Sequence, residues 1–191
     1  MRKPSGKCII VCAPSGAGKT TIVRHLLSKF SDLTFSVSAT SREPRSNEED
    51  GVHYHFISAK DFRSKIDNDE FLEWEEVYAD QFYGTLKSEI NRIWDKGHHV
   101  VFDVDVEGGV NLKEIFGDRA LALFVKPPSL KVLEERLRSR KTETEESLQK
   151  RLNKAERELG YEEKFDDTVI NDELEEACET AAEKVKTFLE S

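Results

Sequence analysis

The stretch from Ala13 to Thr20, A-P-S-G-A-G-K-T, follows a short apolar segment and ends in a lysine and a threonine. A loop of this kind can direct successive backbone N–H groups at one anion, and glycine lets a phosphate approach the backbone closely. Lys19 would add a positive charge at the terminal phosphates of a nucleotide, and Thr20 would offer a hydroxyl to Mg²⁺. The stretch therefore predicts a phosphate-binding loop.

Ala13 stands where the usual pattern, G-x-x-x-x-G-K-[S/T], has its first glycine. A negative φ at this position would make alanine cost little, whereas a positive φ would cost about 1 kcal/mol. Because the backbone amides, Lys19 and Thr20 are all retained, we expect the loop to bind phosphate in either case.

Two further sets of charged residues could bind phosphate or metal. Arg42 and Arg45 lie three apart in a loop, and planar guanidinium groups donate paired hydrogen bonds to phosphate oxygens. Asp103 and Asp105 lie two apart at the end of an apolar strand, on the same face, where carboxylates can hold Mg²⁺ directly or through water. The alternatives are ordinary solvated loop charges for the arginines and a helix cap or solvated strand end for the aspartates.

The elements that would position these residues alternate between strand and helix. Short apolar runs predict buried strands, and apolar residues at helical spacing predict the helices between them. This alternation predicts an α/β fold with a parallel sheet and right-handed crossovers. The predicted strands are Lys7–Cys12, Val100–Val104, Ala120–Val125 and Thr168–Ile170, and the first helix is Thr20–Phe30.

The segment between Phe35 and Asp95 differs, with short aromatic-rich strands and one helix. We interpret it as a small mixed-sheet subdomain inserted into the parallel core. The predicted strands there are Phe35–Ser38, Tyr54–Ile57, Phe71–Tyr78 and Phe82–Tyr83. The whole chain is predicted to be one domain, with a core at about 1–38, 97–136 and 160–191, an insertion at about 39–96 and a charged helical hairpin at about 137–159.

Composition restricts the partners. The 191 residues carry a formal net charge of −9, which argues against nucleic acid and anionic membranes because both need a basic face. The odd number of cysteines, with Cys8 and Cys12 too far apart along a strand for a disulfide, suggests a reducing compartment. We expect a cytoplasmic protein and a monomer, with a dimer as the alternative.

Taken together, the motifs resemble the guanylate kinases, which phosphorylate GMP with ATP. The resemblance runs from about Lys7 to Leu189, and its motifs are specific in their combination and order. They are A-P-S-G-A-G-K-T, F-S-V-S-A-T-S-R-E-P-R from Phe35, D-G-V-H-Y-H-F from Asp50, F-L-E-W from Phe71, F-Y-G-T from Phe82, D-V-D-V-E-G-G from Asp103 and R-L-R-S-R-K-T-E-T-E-E-S from Arg136.

The resemblance implies a P-loop kinase with a three-layer α/β/α core, a GMP-binding insertion and a helical lid, acting in purine nucleotide metabolism. It implies transfer of the γ-phosphoryl group of Mg-ATP to GMP, and also to dGMP. The implied ATP site comprises Ala13, Pro14, Ser15, Gly16, Ala17, Gly18, Lys19, Thr20, Thr21 and Asn171. The implied GMP site comprises Ser38, Arg42, Arg45, Tyr54, Glu73, Tyr83, Thr85, Asp103 and Asp105.

The resemblance also suggests which residues act in catalysis. The implied catalytic residues are Lys19, Arg42, Arg136, Arg140 and Arg151. Of the lid arginines, Arg140 and Arg151 would reach the transferring phosphoryl group and Arg136 would lie nearer the donor nucleotide, while Arg42 would bind the GMP phosphate. Thr20, Asp103 and Asp105 would hold Mg²⁺, with the roles of the two aspartates undivided. A glycine of the family's lid is replaced here by Lys141, which bears on lid mobility.

Glu73 is the candidate for choosing the base. Guanine presents two adjacent donors, N1–H and N2–H₂, which match the two oxygens of a carboxylate, whereas adenine lacks that pair. Two alternatives remain: a guanylate-kinase-like module that binds phosphopeptides and has little catalysis, and a P-loop kinase for another monophosphate. The retained Lys19 and lid arginines argue against the first, and Glu73 argues against the second.

Overall fold

The computed structural model describes residues 6–139 and 144–191. Its larger sheet has five parallel strands in the order β2-β7-β1-β8-β9. The strands β2 and β7 lie on one side of β1, and the later strands β8 and β9 lie on the other. Ligands of open α/β sheets bind at the carboxyl ends of the strands, at the point where the order changes sides in this way. These strands are β1 (Cys8–Cys12), β2 (Leu33–Phe35), β7 (His99–Val104), β8 (Ala120–Lys126) and β9 (Asp167–Ile170).

The central strand β1 is buried along its whole length, which explains its unbroken apolar sequence, C-I-I-V-C. It pairs in parallel with β8, Cys8 opposite Ala120 and Cys12 opposite Phe124, and β8 pairs in parallel with β9. The predicted parallel core is confirmed.

In the described part of the chain, six α-helices lie between strands, and a seventh follows the last strand. Helices α1, α4 and α7 contact the strands of the larger sheet, and α1 also contacts α7. Short 3₁₀ turns occupy Gly117–Arg119 and Glu162–Lys164. The helices are α1 (Lys19–Lys29), α2 (Ala59–Asp67), α3 (Lys87–Trp94), α4 (Val106–Phe116), α5 (Leu130–Ser139), α6 (Glu145–Leu159) and α7 (Leu174–Glu190).

The smaller sheet is mixed and has the order β4-β3-β6-β5. Strand β3 pairs in parallel with β4 and antiparallel with β6, and β6 pairs antiparallel with β5. One face packs on α2, where the fully buried Phe62 stacks on Phe71 and Phe82 with ring centroids 4.3 and 5.2 Å apart. The strands are β3 (Ala39–Thr40), β4 (His55–Phe56), β5 (Phe71–Tyr78) and β6 (Gln81–Leu86).

The chain forms two compact units. One contains Thr34–Val100 together with Gly6, and the other contains Lys7–Leu33 and Val101–Ser191. The first unit holds the smaller sheet. The second contains most of the larger sheet and the hairpin of α5 and α6, which packs through a cluster of Leu133, Leu137, Leu148 and Ala155.

Some local predictions were wrong. The strand predicted at Phe35–Ser38 is not formed, because β2 ends at Phe35 in the larger sheet and β3 begins in the smaller one only at Ala39. Helix α3 was missed altogether. The N-cap residue of the terminal helix is Glu173, whose side chain makes no hydrogen bond to the backbone there.

Among the described residues, none of the helices combines the length and apolar character that crossing a bilayer requires.

Candidate functional site

The phosphate loop leads from β1 directly into α1. Gly16 and Gly18 have φ values of 95° and 99°, a region that favours glycine, and Ala17 N–H donates to Pro14 O at 3.1 Å. Helix α1 then begins at Lys19, and Gly18 O accepts from the N–H of Thr21. The loop thus lies at the N-terminus of an 11-residue helix, where backbone N–H groups and the helix dipole favour an anion.

Ala13 does not strain this loop. Among the described non-glycine residues only Asp69 and Asp80 have a positive φ, so Ala13 lies outside the left-handed region. Its side chain is buried, 5% exposed. Replacing the first glycine with alanine therefore does not force a non-glycine residue into the left-handed region.

Asn171 contacts the loop from the end of β9. Its Nδ2 donates to Ala17 O at 2.7 Å, its backbone N–H donates to Lys126 O, and it is 3% exposed. A Cβ on Gly18 would lie 2.2 Å from that same Nδ2, so glycine is required there on steric grounds too. The resemblance implied a contact of Asn171 with the nucleotide. The bond to the loop itself was not predicted, since the two residues lie 154 positions apart.

Lys19, Thr20 and Asp103 lie together. The ammonium of Lys19 is 2.7 Å from Asp103 Oδ1 and donates to Val104 O at 2.6 Å, while Thr20 Oγ1 donates to Asp103 Oδ2 at 3.1 Å. These contacts follow from the topology, because the loop leaves β1 next to β7, the strand that carries Asp103.

This cluster fits Mg²⁺ bound with a nucleotide. Mg²⁺ prefers oxygen ligands and is usually held by one or two carboxylates plus substrate phosphates and water. The hydroxyl of Thr20 and the carboxylate of Asp103 are such ligands. Within residues 6–139 and 144–191, no group of three or more His, Cys, Asp or Glu could hold a metal alone.

The two aspartates differ in environment. Strand β7 ends at Val104, and Asp105 is the N-cap of α4, where Oδ1 accepts from Gly108 N–H at 2.8 Å. Asp105 is exposed, whereas Asp103 pairs with Lys19. Asp105 therefore caps a helix through one of its oxygens, as one of the alternatives supposed. Asp103 is the aspartate that contacts the phosphate loop.

Two arginines of the helical hairpin contact the phosphate loop and the residues that follow β9. Arg151 Nη1, on α6, donates to Ser15 Oγ of the phosphate loop at 3.2 Å. Arg136, on α5, donates to the backbone oxygens of Asn171 and Asp172 at 2.9 and 3.0 Å. Arg140 and Lys141 lie outside the described residues.

In the other unit, Arg42 is held on several sides. Its Nε donates to the hydroxyl of Tyr83 at 3.0 Å, and its guanidinium carbon lies 5.1 Å from the centre of the Tyr54 ring. Both terminal nitrogens donate to Glu48 at 2.6 Å, and these hydrogen bonds raise the pKa of Arg42. Arg45 donates its backbone N–H to Glu48, and its side chain is exposed.

Glu48 was missed in the sequence. It lies in an irregular loop with acidic neighbours at positions 49 and 50, and neither periodicity nor a motif distinguishes it from them.

Glu73 and Thr85 form a cross-strand pair. They face each other in the register of β5 and β6, and Thr85 Oγ1 donates to Glu73 Oε1 at 2.6 Å. Tyr83 lies two residues before Thr85 on the same strand, so the two side chains share a face of the sheet at a spacing of about 7 Å. Glu73 and Thr85, predicted for the guanine base, and Tyr83, predicted for its phosphate, therefore lie on one face. Ser38, just before β3, accepts His55 N–H with its backbone oxygen at 2.9 Å.

Comparison with known proteins decides the family. The sequence model of the family described as "Guanylate kinase" matches residues 5–191. A guanylate kinase of Bacteroides fragilis is 52% identical over 183 residues, which cover 96% of this chain and 90% of that protein. The chain belongs to the guanylate kinase family.

Other guanylate kinases are similar to this chain in sequence or in structure. That of Salinibacter ruber is 50% identical over 188 residues, covering 98% of this chain and all of the relative. The crystal structure of the guanylate kinase from Anaplasma phagocytophilum has a TM-score of 0.73 at 25% identity and covers 97% of this chain and 87% of its own. A shikimate kinase structure from Bacteroides thetaiotaomicron, at 16% identity and a TM-score of 0.53, shares the fold alone. The predicted P-loop kinase fold and the resemblance to guanylate kinases are confirmed.

Proposed function

We propose that this chain transfers the γ-phosphoryl group of ATP to the phosphate of GMP and releases ADP and GDP. The observation that carries the proposal is that a member of the guanylate kinase family keeps charged groups for two nucleotide phosphates. Lys19 lies in the phosphate loop of one unit, and Arg42 lies beside Tyr83 in the other. Because a peptide-binding module needs no loop for ATP, the phosphopeptide alternative is not favoured.

The donor nucleotide binds with its β- and γ-phosphates against the backbone N–H groups of the loop. The ammonium of Lys19 donates two hydrogen bonds in the structure, to Asp103 and to Val104 O, so one of its three N–H groups remains for a phosphate oxygen. Arg151 is already beside Ser15 of the loop. Asn171 stabilises the loop through the hydrogen bond from its side chain to Ala17 O.

The metal site is the cluster of oxygens beside Lys19. Thr20 and Asp103 would hold the Mg²⁺ of Mg-ATP, directly or through water, with Asp105 as the second carboxylate at the strand end. Bound there, Mg²⁺ would neutralise part of the charge on the phosphates.

The acceptor nucleotide binds in the other unit. Arg42, Arg45, Tyr54 and Tyr83 donate to the GMP phosphate. Glu73 accepts the two adjacent donors of guanine, and the hydroxyls of Thr85 and Ser38 complete the contacts with the base. AMP lacks the two guanine donors that Glu73 would accept, at a cost of about 1–3 kcal/mol or more.

The chemical step needs no general base. An anionic oxygen of the GMP phosphate forms the new bond to the γ-phosphorus, and the bond from that phosphorus to the oxygen bridging to the β-phosphate breaks. Since the transition state spreads negative charge over the equatorial oxygens, catalysis rests on positioning and on positive charge. We assign that charge to Lys19, Arg136, Arg140 and Arg151.

The same contacts suit dGMP, which presents the same base and the same phosphate. We place the reaction in the purine nucleotide metabolism of the cytoplasm, with the chain acting as a monomer and with neither nucleic acid nor membrane as a partner.

The test is direct observation of the products. Phosphorus NMR of the protein mixed with Mg-ATP and GMP should show the loss of both substrates and the growth of ADP and GDP in equal amounts. A matched sample of the Lys19→Met variant should turn over at least about a hundredfold more slowly, because it lacks the charge at the γ-phosphate. Hydrolysis of ATP without formation of GDP would reject the proposal.

A further inference from the structure

Glu48 contacts Arg42 with both carboxylate oxygens. Oε2 accepts from Nη1 and Oε1 accepts from Nη2, each at 2.6 Å. The same Oε2 accepts the backbone N–H of Arg45 at 2.8 Å. The side chains of Arg42 and Glu48 are only 12% and 11% exposed. One carboxylate thus contacts both arginines assigned to the acceptor phosphate.

The contact uses one particular edge of the guanidinium. A guanidinium can bind an oxyanion with its end edge, formed by Nη1 and Nη2, or with its side edge, formed by Nε and Nη2. Glu48 occupies the end edge of Arg42. The other N–H of Nη1 donates to Glu43 O at 2.9 Å.

The side edge of Arg42 faces Tyr83. Nε donates to the Tyr83 hydroxyl at 3.0 Å, and the second N–H of Nη2 points along the same edge. Because the hydroxyl oxygen of Tyr83 accepts from Arg42, its own proton is directed elsewhere and can be donated to a ligand. The side edge and the tyrosine therefore present donors together.

The guanidinium is also held on its face. The centres of the Tyr54 and Phe56 rings lie 5.1 and 5.6 Å from its carbon.

The hydrogen bonds from Arg42 lower the pKa of Glu48 to about 2, so this carboxylate stays ionised at neutral pH. The cost of desolvation offsets much of the attraction between two such charges, so we assign the pair a role in fixing geometry as well.

We propose that Glu48 is a positioning residue for the acceptor phosphate: it binds the end edge of Arg42 and so directs the side edge, together with Tyr83, toward the phosphate of GMP. The inference rests on the proposed function, because the acceptor is taken to be GMP. In the opposite arrangement, Glu48 would occupy the place of the phosphate and leave when GMP binds. The contact of the side edge with Tyr83, which leaves the second N–H of Nη2 for a ligand, and the bond from Arg45 N–H to Glu48 favour the positioning role.

Calorimetric titrations with GMP and with guanosine test the proposal, using Glu48→Gln, Glu48→Asp and the matched control Glu49→Gln. Glu49 is the exposed neighbour of Glu48, and its substitution removes the same charge. Glu48→Gln loses one accepting oxygen, and Glu48→Asp keeps the charge with a shorter reach. Both should weaken GMP binding by about tenfold or more, as for loss of a charge-assisted contact, and leave guanosine binding within about twofold. The control should resemble the wild type.

Kinetics give a second readout. In both Glu48 variants the KM for GMP should rise while the KM for ATP stays the same, which a general loss of folding would not produce. In the NMR spectrum of the substrate-free protein, the Arg42 Nε–H group should be rigid in the wild type and mobile in the variants.

Three results would overturn the inference. Tighter GMP binding by Glu48→Gln, with Glu48→Asp unchanged, would make Glu48 a competitor of the phosphate. Equal weakening of GMP and guanosine would make it a structural residue only, and so would an Arg42 Nε–H that is equally rigid in all variants. If the wild type bound no GMP, the proposed function would itself fail, which these variants distinguish from a failure of the positioning role alone.

Discussion

Replacing Thr85 with valine tests how the base-reading carboxylate is held. Thr85 is fully buried, and its hydroxyl donates to the carboxylate of Glu73 at 2.6 Å. Valine has nearly the same shape but no hydroxyl, so the variant removes one hydrogen bond to a charged group, a loss of about 1.5–3 kcal/mol.

That loss should be divided between folding and binding. If Glu73 stays in place after losing the hydrogen bond from Thr85, the free energy of unfolding falls. If the carboxylate turns toward water, stability is regained, but guanine must then return it to its place and GMP affinity falls. We expect the two losses to add up to about 1.5–3 kcal/mol, so that a variant of unchanged stability binds GMP about tenfold or more weakly.

Urea denaturation and calorimetric titration measure the two parts. Thr85→Ser is the matched control, because it keeps the hydroxyl and loses only a methyl group. It should bind GMP nearly as the wild type does and lose about 0.5–1.5 kcal/mol of stability. ATP affinity should change in neither variant. If Thr85→Val kept both full stability and full GMP affinity, the hydrogen bond to Glu73 would have no role and the reasoning would be refuted.

Three further predictions follow from single contacts. Gly18→Ala places a Cβ 2.2 Å from Asn171 Nδ2 at a φ of 99°, so calorimetry should show the loss of ATP binding while GMP binding is retained; normal ATP affinity would contradict the steric argument. Phe62→Ala empties the fully buried centre of the aromatic cluster and should lower the free energy of unfolding by about 3–5 kcal/mol in urea, and a change below about 1 kcal/mol would show that Phe62 is not its centre. The folded-state pKa of Glu48 lies below its usual 4.5, so the stability that its pairing with Arg42 contributes is complete above pH 4.5 and is lost as the pH falls toward 2. Glu48→Gln should therefore change less in stability across that window in acid unfolding curves, and identical curves for variant and wild type would contradict the pairing.

The phosphate loop could be predicted because its signal is local. An apolar run, two glycines, Lys19 and Thr20 follow one another in the sequence, and the same order gives β1, the loop and α1. The alternation of strands and helices was equally visible. The buried strands are continuous apolar runs, and the parallel sheet follows from their connection through helices.

The supporting contacts could not be predicted, because they join residues with no local relation. Asn171 and Ala17 meet only because β9 and the loop after β1 end on the same side of the sheet. Asp103 and Asp105 could not be told apart in the sequence. They differ because β7 ends at Val104, which leaves Asp103 in the strand and makes Asp105 the N-cap of α4. The strand predicted at Phe35–Ser38 was wrong because the chain passes from one sheet to the other within four residues that give no turn signal.

The central claim is that one chain selects guanine with Glu73 and transfers phosphate from ATP to the nucleotide so bound. The most direct measurement is kcat/KM of the wild type and of Glu73→Gln with GMP, AMP, UMP and CMP in one coupled assay with Mg-ATP. We expect the wild type to prefer GMP by at least about a hundredfold. We also expect Glu73→Gln to lose most of that preference through GMP alone, with the KM for ATP unchanged. Comparable kcat/KM values for GMP and AMP in the wild type, or a Glu73→Gln variant that keeps the full preference, would contradict the central claim.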